Sequence, residues 1–347
     1  MKQKRISDYG IEIGKMRKGK LNKITDVKGV KVGHSTIKND THNTGVTVIM
    51  PTNDNIFLNK LVSATYVSNG FGKTIGTLQI DELGTLETPI ALTNTLNVGV
   101  VSDSLVQYMI DTCKNDNFRL ESVNVVVGEC NDSVLNDIQT RVVEYENVMD
   151  AISSADVDFE EGSVGAGTGT ICYGFKGGIG TASRVIELDG KEYTLGILVQ
   201  SNYGKTDDFM INGKLIGKEF EKNSSKTEID KGSIIVVMAC DVPLTSRQIK
   251  RILKRCAVGI ARLGSYIGNG SGEVFIGFST ANRIPHKNKD DTLGITCVSE
   301  NNMDKMFRAA GEATEEAILN SMVCSEKTVG YNGKVVPSLK DYINEII

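Results

Sequence analysis

Gly232 and Ser233 stand where a charged stretch, "SSKTEIDK" (224–231), gives way without a buffer to the apolar, β-branched run "IIVVMAC" (234–240). A serine hydroxyl needs a base before it becomes a nucleophile at neutral pH. One solution makes the serine N-terminal, so that its own α-amine, with an ordinary pKa of about 7.7–8.0, assists it. Such a terminus arises by cutting the preceding bond. Glycine at that place tolerates unusual backbone angles and opens its carbonyl to attack. Polar slack just upstream would let the released end move away. Against this stands a plainer reading, in which Gly-Ser merely punctuates the entry to a buried strand, as these residues commonly do.

Other chemistries find less support. The three histidines, His34, His42 and His286, have no close His or Cys partner at a metal-binding spacing, and no G-x-S-x-G elbow is present. His34 and His286 occupy turn-like contexts, so hydrolase chemistry here is expected to dispense with histidine. "GKT" occurs at 72–74 and at 204–206, but Val67 and Val199 stand where a phosphate loop needs glycine. "GSVGAGTG" (162–169) lacks the G-x-G-x-x-G spacing and follows "DVDFEE", a poor buried strand. No cofactor or metal is expected.

The elements that must position Ser233 read as mixed α/β. Strand-like runs are "GVTVIMP" (45–51), "SVNVVVGE" (122–129), "TLGILVQ" (194–200), "SIIVVMA" (233–239) and "EVFIGFST" (273–280). Ile249, Ile252, Leu253, Cys256 and Ile260 recur at helical spacing, with Thr245 and Gln248 as a capping box and Gly264 as a stop. A second helix, 304–323, is rich in small residues that permit close packing. Residues 212–232 read as an exposed loop, mobile at least over "EKNSSKTE" (221–228), that runs directly into the core.

Composition sets bounds. The chain has 347 residues, 40% of them hydrophobic and 24% charged, with a net charge of −4 and no basic stripe, which argues against nucleic acid as a partner. No apolar stretch approaches the roughly 20 residues of a membrane span. "MKQKRISDYG" has no apolar signal core. The seven scattered cysteines form no C-x-x-C and read as buried free thiols of a reducing compartment, so a cytoplasmic enzyme is expected.

Long motifs, in order along nearly the whole chain, resemble the L-aminopeptidase/D-esterase family, which includes β-peptidyl aminopeptidases. They are "GTLQIDELGTLETPIALTNTLNVGVV" (76–101), "GAGTGTICYGFKGGIGTASR" (165–184), "LVQSNYG" (198–204), "GSIIVVMACDVPL" (232–244), "NGSGEVFIGFS" (269–279) and "EATEEAILNSM" (312–322). The resemblance implies a layered α-β-β-α sandwich like that of Ntn hydrolases, with different strand connectivity. It also implies one self-processing domain, 1–347, cut between Gly232 and Ser233 into chains 1–232 and 233–347, and often a homo-oligomer such as a tetramer of cleaved protomers.

By the same resemblance Ser233 matches the nucleophile, and Ser271 and Glu273 its companions, bonding the Ser233 amine or hydroxyl and stabilising positive charge. Asn202 matches the asparagine at the oxyanion position. Glu129 matches the acid that receives the substrate's free ammonium. Some members carry a tyrosine two residues after that acid, where this chain has Asn131, a shorter donor. The expected function is a serine aminopeptidase, amidase or esterase acting on short peptides, amino-acid amides or esters with a free amino terminus. The alternatives are an acyltransferase of the ornithine acetyltransferase type and an unprocessed, non-catalytic binding protein.

Overall fold

The computed structural model describes residues 3–217 and 231–346. The chain begins with a hairpin, β1 (Lys31–Lys38) and β2 (Asn43–Met50), followed by β3 (Asn59–Gly70), α1 (Thr77–Leu83), β4 (Thr85–Leu86) and β5 (Ile90–Asn94). Helix α2 (Val98–Asn115), β6 (Val126–Cys130) and α3 (Tyr145–Ser153) come next. A small hairpin of β7 (Ile171–Cys172) and β8 (Phe175–Lys176) leads into β9 (Gly178–Leu188) and β10 (Lys191–Asn202). A second small hairpin, β11 (Met210–Ile211) and β12 (Lys214–Leu215), precedes β13 (Lys231–Cys240), α4 (Ser246–Arg262), β14 (Gly270–Pro285) and α5 (Met303–Val323).

Two sheets stack. One runs β1-β2-β5-β6, the other β4-β3-β14-β13-β10-β9. Helices α2 and α3 cover the outer face of the first through Val101, Leu105, Val148 and Ala151. Helices α4 and α5 cover the outer face of the second. The expected α-β-β-α layering is therefore what the sequence forms, and it explains the unbroken apolar run of β13. Ile234, Val236 and Met238 enter the core beneath the helices, while Ile235, Val237 and Ala239 enter the core between the sheets. A strand covered on both faces needs apolar residues at every position, not at alternate ones. Each such buried aliphatic side chain stabilises the fold by about 1.5–3 kcal/mol.

The helix α4 starts at the Thr245–Gln248 capping box, and Gly264 follows its end in the left-handed region at φ 103°. Helix α5 lies so close to β9 that a Cβ on Gly180 would stand 2.5 Å from the Ser321 nitrogen and nearer still to the Ala317 oxygen. The small residues of 304–323 serve this approach. Six of the seven cysteines are buried free thiols, and Cys297 is exposed.

Three expectations change. Residues 212–217 are not plain loop: Asn212 and Gly213, at φ 50° and 75°, turn the β11–β12 hairpin, and Ile216 returns to the core. Lys231 and Gly232 already belong to β13. The stretch 221–228 lies outside the described residues. His34 sits within β1 instead of a turn, its ring bonded to Thr47 Oγ1 (2.9 Å) and the Glu160 carbonyl (3.1 Å). Burial lowers its pKa to about 4, so it stays neutral as a satisfied structural residue. The glycines of 162–169 wedge between the sheets, where Thr47 Oγ1 accepts from the Ala166 amide and Gln200 Nε2 donates to the Ala166 carbonyl.

A polar knot fixes the loop that leaves β6 and the two ends of the β7–β8 hairpin. Lys176 is fully buried and donates to the Gly167 and Gly177 carbonyls at 2.7 and 2.8 Å, and burial draws its pKa well below the ordinary lysine value. Asp132 accepts from Asn136 Nδ2 at 3.0 Å. Burial lifts its carboxyl to about 6, against hydrogen bonds from Thr44, Asn136 and Asn94 that favour the charged form.

Two measurements test these packings. Gly180→Ala should cost about 1–3 kcal/mol in urea unfolding, because backbone atoms of α5 must move to admit the methyl group; an unchanged midpoint would show that the helix is not so closely seated. From about pH 4 to 6 the folded chain holds more protons at Asp132 than the unfolded chain, so this site's contribution to stability falls as pH rises through that window. The stability of Asp132→Asn relative to the parent should therefore climb between pH 4 and 7, by at most about 3 kcal/mol. A difference that stays constant across that range would contradict the raised carboxyl.

Candidate active site

Ser233 lies at the start of the central strand of the larger sheet, flanked on both sides. On one side β10 pairs antiparallel with β13, setting Asn202 opposite Ser233. On the other β14 pairs parallel, setting Ser271 beside Gly232 and Gly272 beside Ser233. The junction is tight. A Cβ on Gly232 would stand 2.7 Å from Tyr203 Cα and closer to the Asn202 carbonyl oxygen; a Cβ on Gly272 would stand 3.0 Å from Ser233 Oγ. Both glycines are required by close approach of backbone, Gly232 to β10 and Gly272 to the Phe71 carbonyl, whose oxygen would lie 2.5 Å from a Cβ there.

Side-chain alternation sorts the expected site residues onto two faces. Ser233 shares its face with Ile235 and Val237, towards the space between the sheets, and directly opposite residues of an antiparallel pair point the same way, so Asn202 joins it. Asn202 Oδ1 accepts from the Ile171 amide at 2.9 Å. That bond fixes the amide orientation and leaves Nδ2 as the donor on the cavity side. The β7–β8 hairpin holds Ile171 in place through a two-residue turn with positive φ at Tyr173 (52°) and Gly174 (80°). Among the described residues the Ser233 hydroxyl has no hydrogen-bond partner.

Ser271 and Glu273 occupy the other face. Ser271 Oγ donates to Glu273 Oε1, and both are fully buried. Glu273 alternates with Phe275 of the core beneath the helices, close to Tyr203, whose phenol burial holds far above its ordinary pKa. The pair thus lies behind Gly232 and the Ser233 backbone, and forms no hydrogen bond to the Ser233 hydroxyl among the described residues. A register shift in β14 between Glu273 and Val274 and the Asn69 amide, which donates to the Gly268 and Asn269 carbonyls at 3.1 and 3.2 Å, set the entry of this strand.

The front face opens on a cavity of about 820 Å³ lined by Asn202, Gly232, Ser233, Glu129 and Asn131, among others. Ser271 and Glu273 are absent from its wall. Glu129 is not a surface residue but lies buried in β6, at 2% exposure. Its Oε1 accepts from the Lys73 amide at 2.8 Å and its Oε2 from Thr95 Oγ1. Asn131 is exposed and its Oδ1 accepts from the Ser133 amide at 3.1 Å, so its amide nitrogen remains a donor at the cavity edge. Cys130 ties the sheets together here, its thiol 3.4 Å from the Ser233 carbonyl and 3.5 Å from that of Gln200.

Sequence reasoning missed Lys73, Thr95, Ile171 and Tyr203. Lys73 belongs to the "GKT" set aside as a failed phosphate loop; its contribution is a backbone amide, which no residue type announces. None of the three histidines lines the cavity.

The comparisons with known proteins agree with this geometry. Peptidase family S58 matches residues 22–336. The "Beta-peptidyl aminopeptidase BapA" of Sphingosinicella microcystinivorans is 36% identical over 359 residues, which cover 96% of this chain and 89% of that protein. The crystal structure of the PH0078 protein from Pyrococcus horikoshii OT3 superposes with a TM-score of 0.92 at 44% identity, covering 98% of each chain. The L-aminopeptidase D-Ala-esterase/amidase of Ochrobactrum anthropi, described as a prototype for the serine aminopeptidases and a new variant among the Ntn hydrolase fold, superposes with a TM-score of 0.92 at 34% identity, covering 99% of this chain and 98% of that one. The acyltransferase and non-catalytic readings draw no support from these relatives. The chain belongs to Peptidase family S58 and is a hydrolase of the serine aminopeptidase kind, with the layered Ntn-variant fold.

Proposed function

We propose that Ser233 is the nucleophile of a self-processing aminopeptidase, and that Gly232–Ser233 is the bond it cuts in its own precursor. The observation that carries this reading is the placement of Ser233 at the cavity wall, opposite the Asn202 amide and beside a glycine that leaves its hydroxyl room. In processing, Ser233 Oγ attacks the Gly232 carbonyl carbon, the C–N bond breaks, and the nitrogen gains the hydroxyl proton. Water then hydrolyses the resulting ester, freeing the Gly232 carboxylate, the hydroxyl and the Ser233 α-amine. The products are chains 1–232 and 233–347.

In turnover the α-amine takes the hydroxyl proton as Ser233 Oγ attacks the substrate carbonyl. The Asn202 amide nitrogen stabilises the developing alkoxide, an effect worth roughly 3–4 kcal/mol where such donors have been removed. Collapse expels the leaving amine with that proton, and water releases the acid from the acyl-enzyme. Ser271 and Glu273, behind the strand, suit the α-amine more than the hydroxyl: the buried carboxylate stabilises the ammonium form through the Ser271 hydroxyl. Glu129 receives the substrate's free ammonium and Asn131 donates at the cavity edge. The substrates are short peptides, or amino-acid amides or esters, with an unblocked amino terminus, in keeping with relatives named for β-peptidyl aminopeptidase and D-Ala-esterase/amidase activities. A cytoplasmic setting accords with the buried free thiols, and a homo-oligomer of cleaved protomers with the family resemblance.

Intact mass of freshly purified protein under denaturing conditions should show a 1–232 chain and a 233–347 chain, while Ser233→Ala stays whole. A parent that stays whole through long incubation would return Gly-Ser to punctuation. In processed enzyme, Glu129→Gln should lower kcat/KM by about tenfold or more for substrates with a free amine, since a buried carboxylate is the partner removed from a charge-assisted contact. Equal losses on the same substrate with its amine acetylated would assign Glu129 a structural part only.

A further inference from the structure

The described part of the cavity wall carries more positive than negative charge. Among the described residues it carries one carboxylate, Glu129, and two ammonium groups, Lys73 and Lys334. Among the described residues neither lysine is paired with a carboxylate. Once a substrate ammonium meets Glu129, the two lysines are the charged groups left among the described lining residues.

The two lysines are not equivalent. Lys73 stands on the Glu129 wall: its amide donates to Glu129 and its ammonium sits 4.6 Å from the Phe71 ring centroid, engaged by the π face. Lys334 enters from another wall, on a turn docked against the loop after β6. That turn is held by Tyr331 N donating to the Leu135 carbonyl (3.3 Å), Asn43 Nδ2 donating to the Val329 carbonyl (3.2 Å), and Gly330 N donating to the Lys334 carbonyl (2.8 Å). The Lys334 amide itself is fixed to Asn332 Oδ1 at 3.0 Å. Its backbone is thus pinned, its side chain is half-buried, and its charge is left for a ligand.

Resting on the proposed aminopeptidase reading, we infer that Lys334 is a specificity residue that receives a carboxylate on the departing part of the substrate. The favoured substrates are then short zwitterionic peptides, with a free ammonium at Glu129 and a free carboxylate at Lys334, over the corresponding amides and esters. A cavity of about 820 Å³ holds a molecule of that size and not a folded chain. A neutral C-terminal amide leaves the Lys334 ammonium without a counter-charge in a partly desolvated wall.

The experiment measures kcat/KM for a dipeptide and for its C-terminal amide with the parent enzyme, Lys334→Met, Lys334→Arg and Lys73→Met. The parent should prefer the acid by about fivefold, the worth of a partly exposed ion pair. Lys334→Met should abolish that preference through a higher KM for the acid, with the amide unchanged; Lys334→Arg should restore it. Equal use of acid and amide by the parent, equal losses on both in Lys334→Met, or a selective loss in Lys73→Met instead would each overturn the assignment. Absence of turnover of either substrate by fully processed parent enzyme is a different failure, which removes the aminopeptidase reading and this one with it.

Discussion

The structure turns on the close approach of three strands at one peptide bond. Strand β13 is gripped by β10 on one side and β14 on the other at its very first residues; β10 leaves no space for a Cβ at Gly232, and the Phe71 carbonyl leaves none at Gly272. The central position of β13 dictates everything downstream of that bond. Both its faces are covered, so each residue from Ile234 onward must be apolar, and the strand cannot slip by one residue without exchanging its two cores. Register is thereby fixed at the end where chemistry is proposed, and Asn202, Ser233 and Gly272 are held side by side by the same packing that stabilises the fold.

A strand with two buried faces also separates two requirements of a nucleophilic serine. The face between the sheets opens on the cavity and carries the hydroxyl together with an amide donor. The opposite face is sealed beneath α4 and α5 and carries Ser271 and Glu273 in surroundings dry enough to hold the Tyr203 phenol far above its ordinary pKa. A charge in such a place is effective because water does not screen it. The backbone between the two faces is common to both, and the proposed α-amine would be a backbone atom. On the proposed reading, alternation along one strand would be enough to present a hydroxyl to substrate and its base to a buried carboxylate.

Much of this was legible in the sequence where the pattern is local. The abrupt change at Gly232-Ser233 marks the start of a doubly covered strand, the Thr245–Gln248 capping box starts α4, and the small residues of 304–323 lie against β9 where Gly180 leaves room. What escaped is what long-range pairing decides. Glu129 is expected as a binding residue, but the partners that hold it, the Lys73 amide and the Thr95 hydroxyl, come from distant segments. His34, in a sequence that reads as a turn, lies in a strand because residues 31–38 pair with residues 43–50. The orientation of the Asn202 amide depends on a backbone nitrogen 31 residues away, at Ile171, a contact without a side-chain signature.

The treatment of Glu129 shows how the fold keeps a carboxylate usable inside an apolar wall. An isolated buried charge is costly, and a lysine or arginine partner would satisfy it but also neutralise it. Here the bonds come from a backbone amide and a hydroxyl, Lys73 N and Thr95 Oγ1, donors that carry no net charge. They lower the cost of burial while leaving the negative charge to be met by whatever enters the cavity. The Lys73 ammonium, on the same residue as that amide, lies over the Phe71 ring. On the proposed reading, selection of a free amino terminus would follow from withholding a counter-ion, with the acid held in place by the Lys73 amide and the Thr95 hydroxyl.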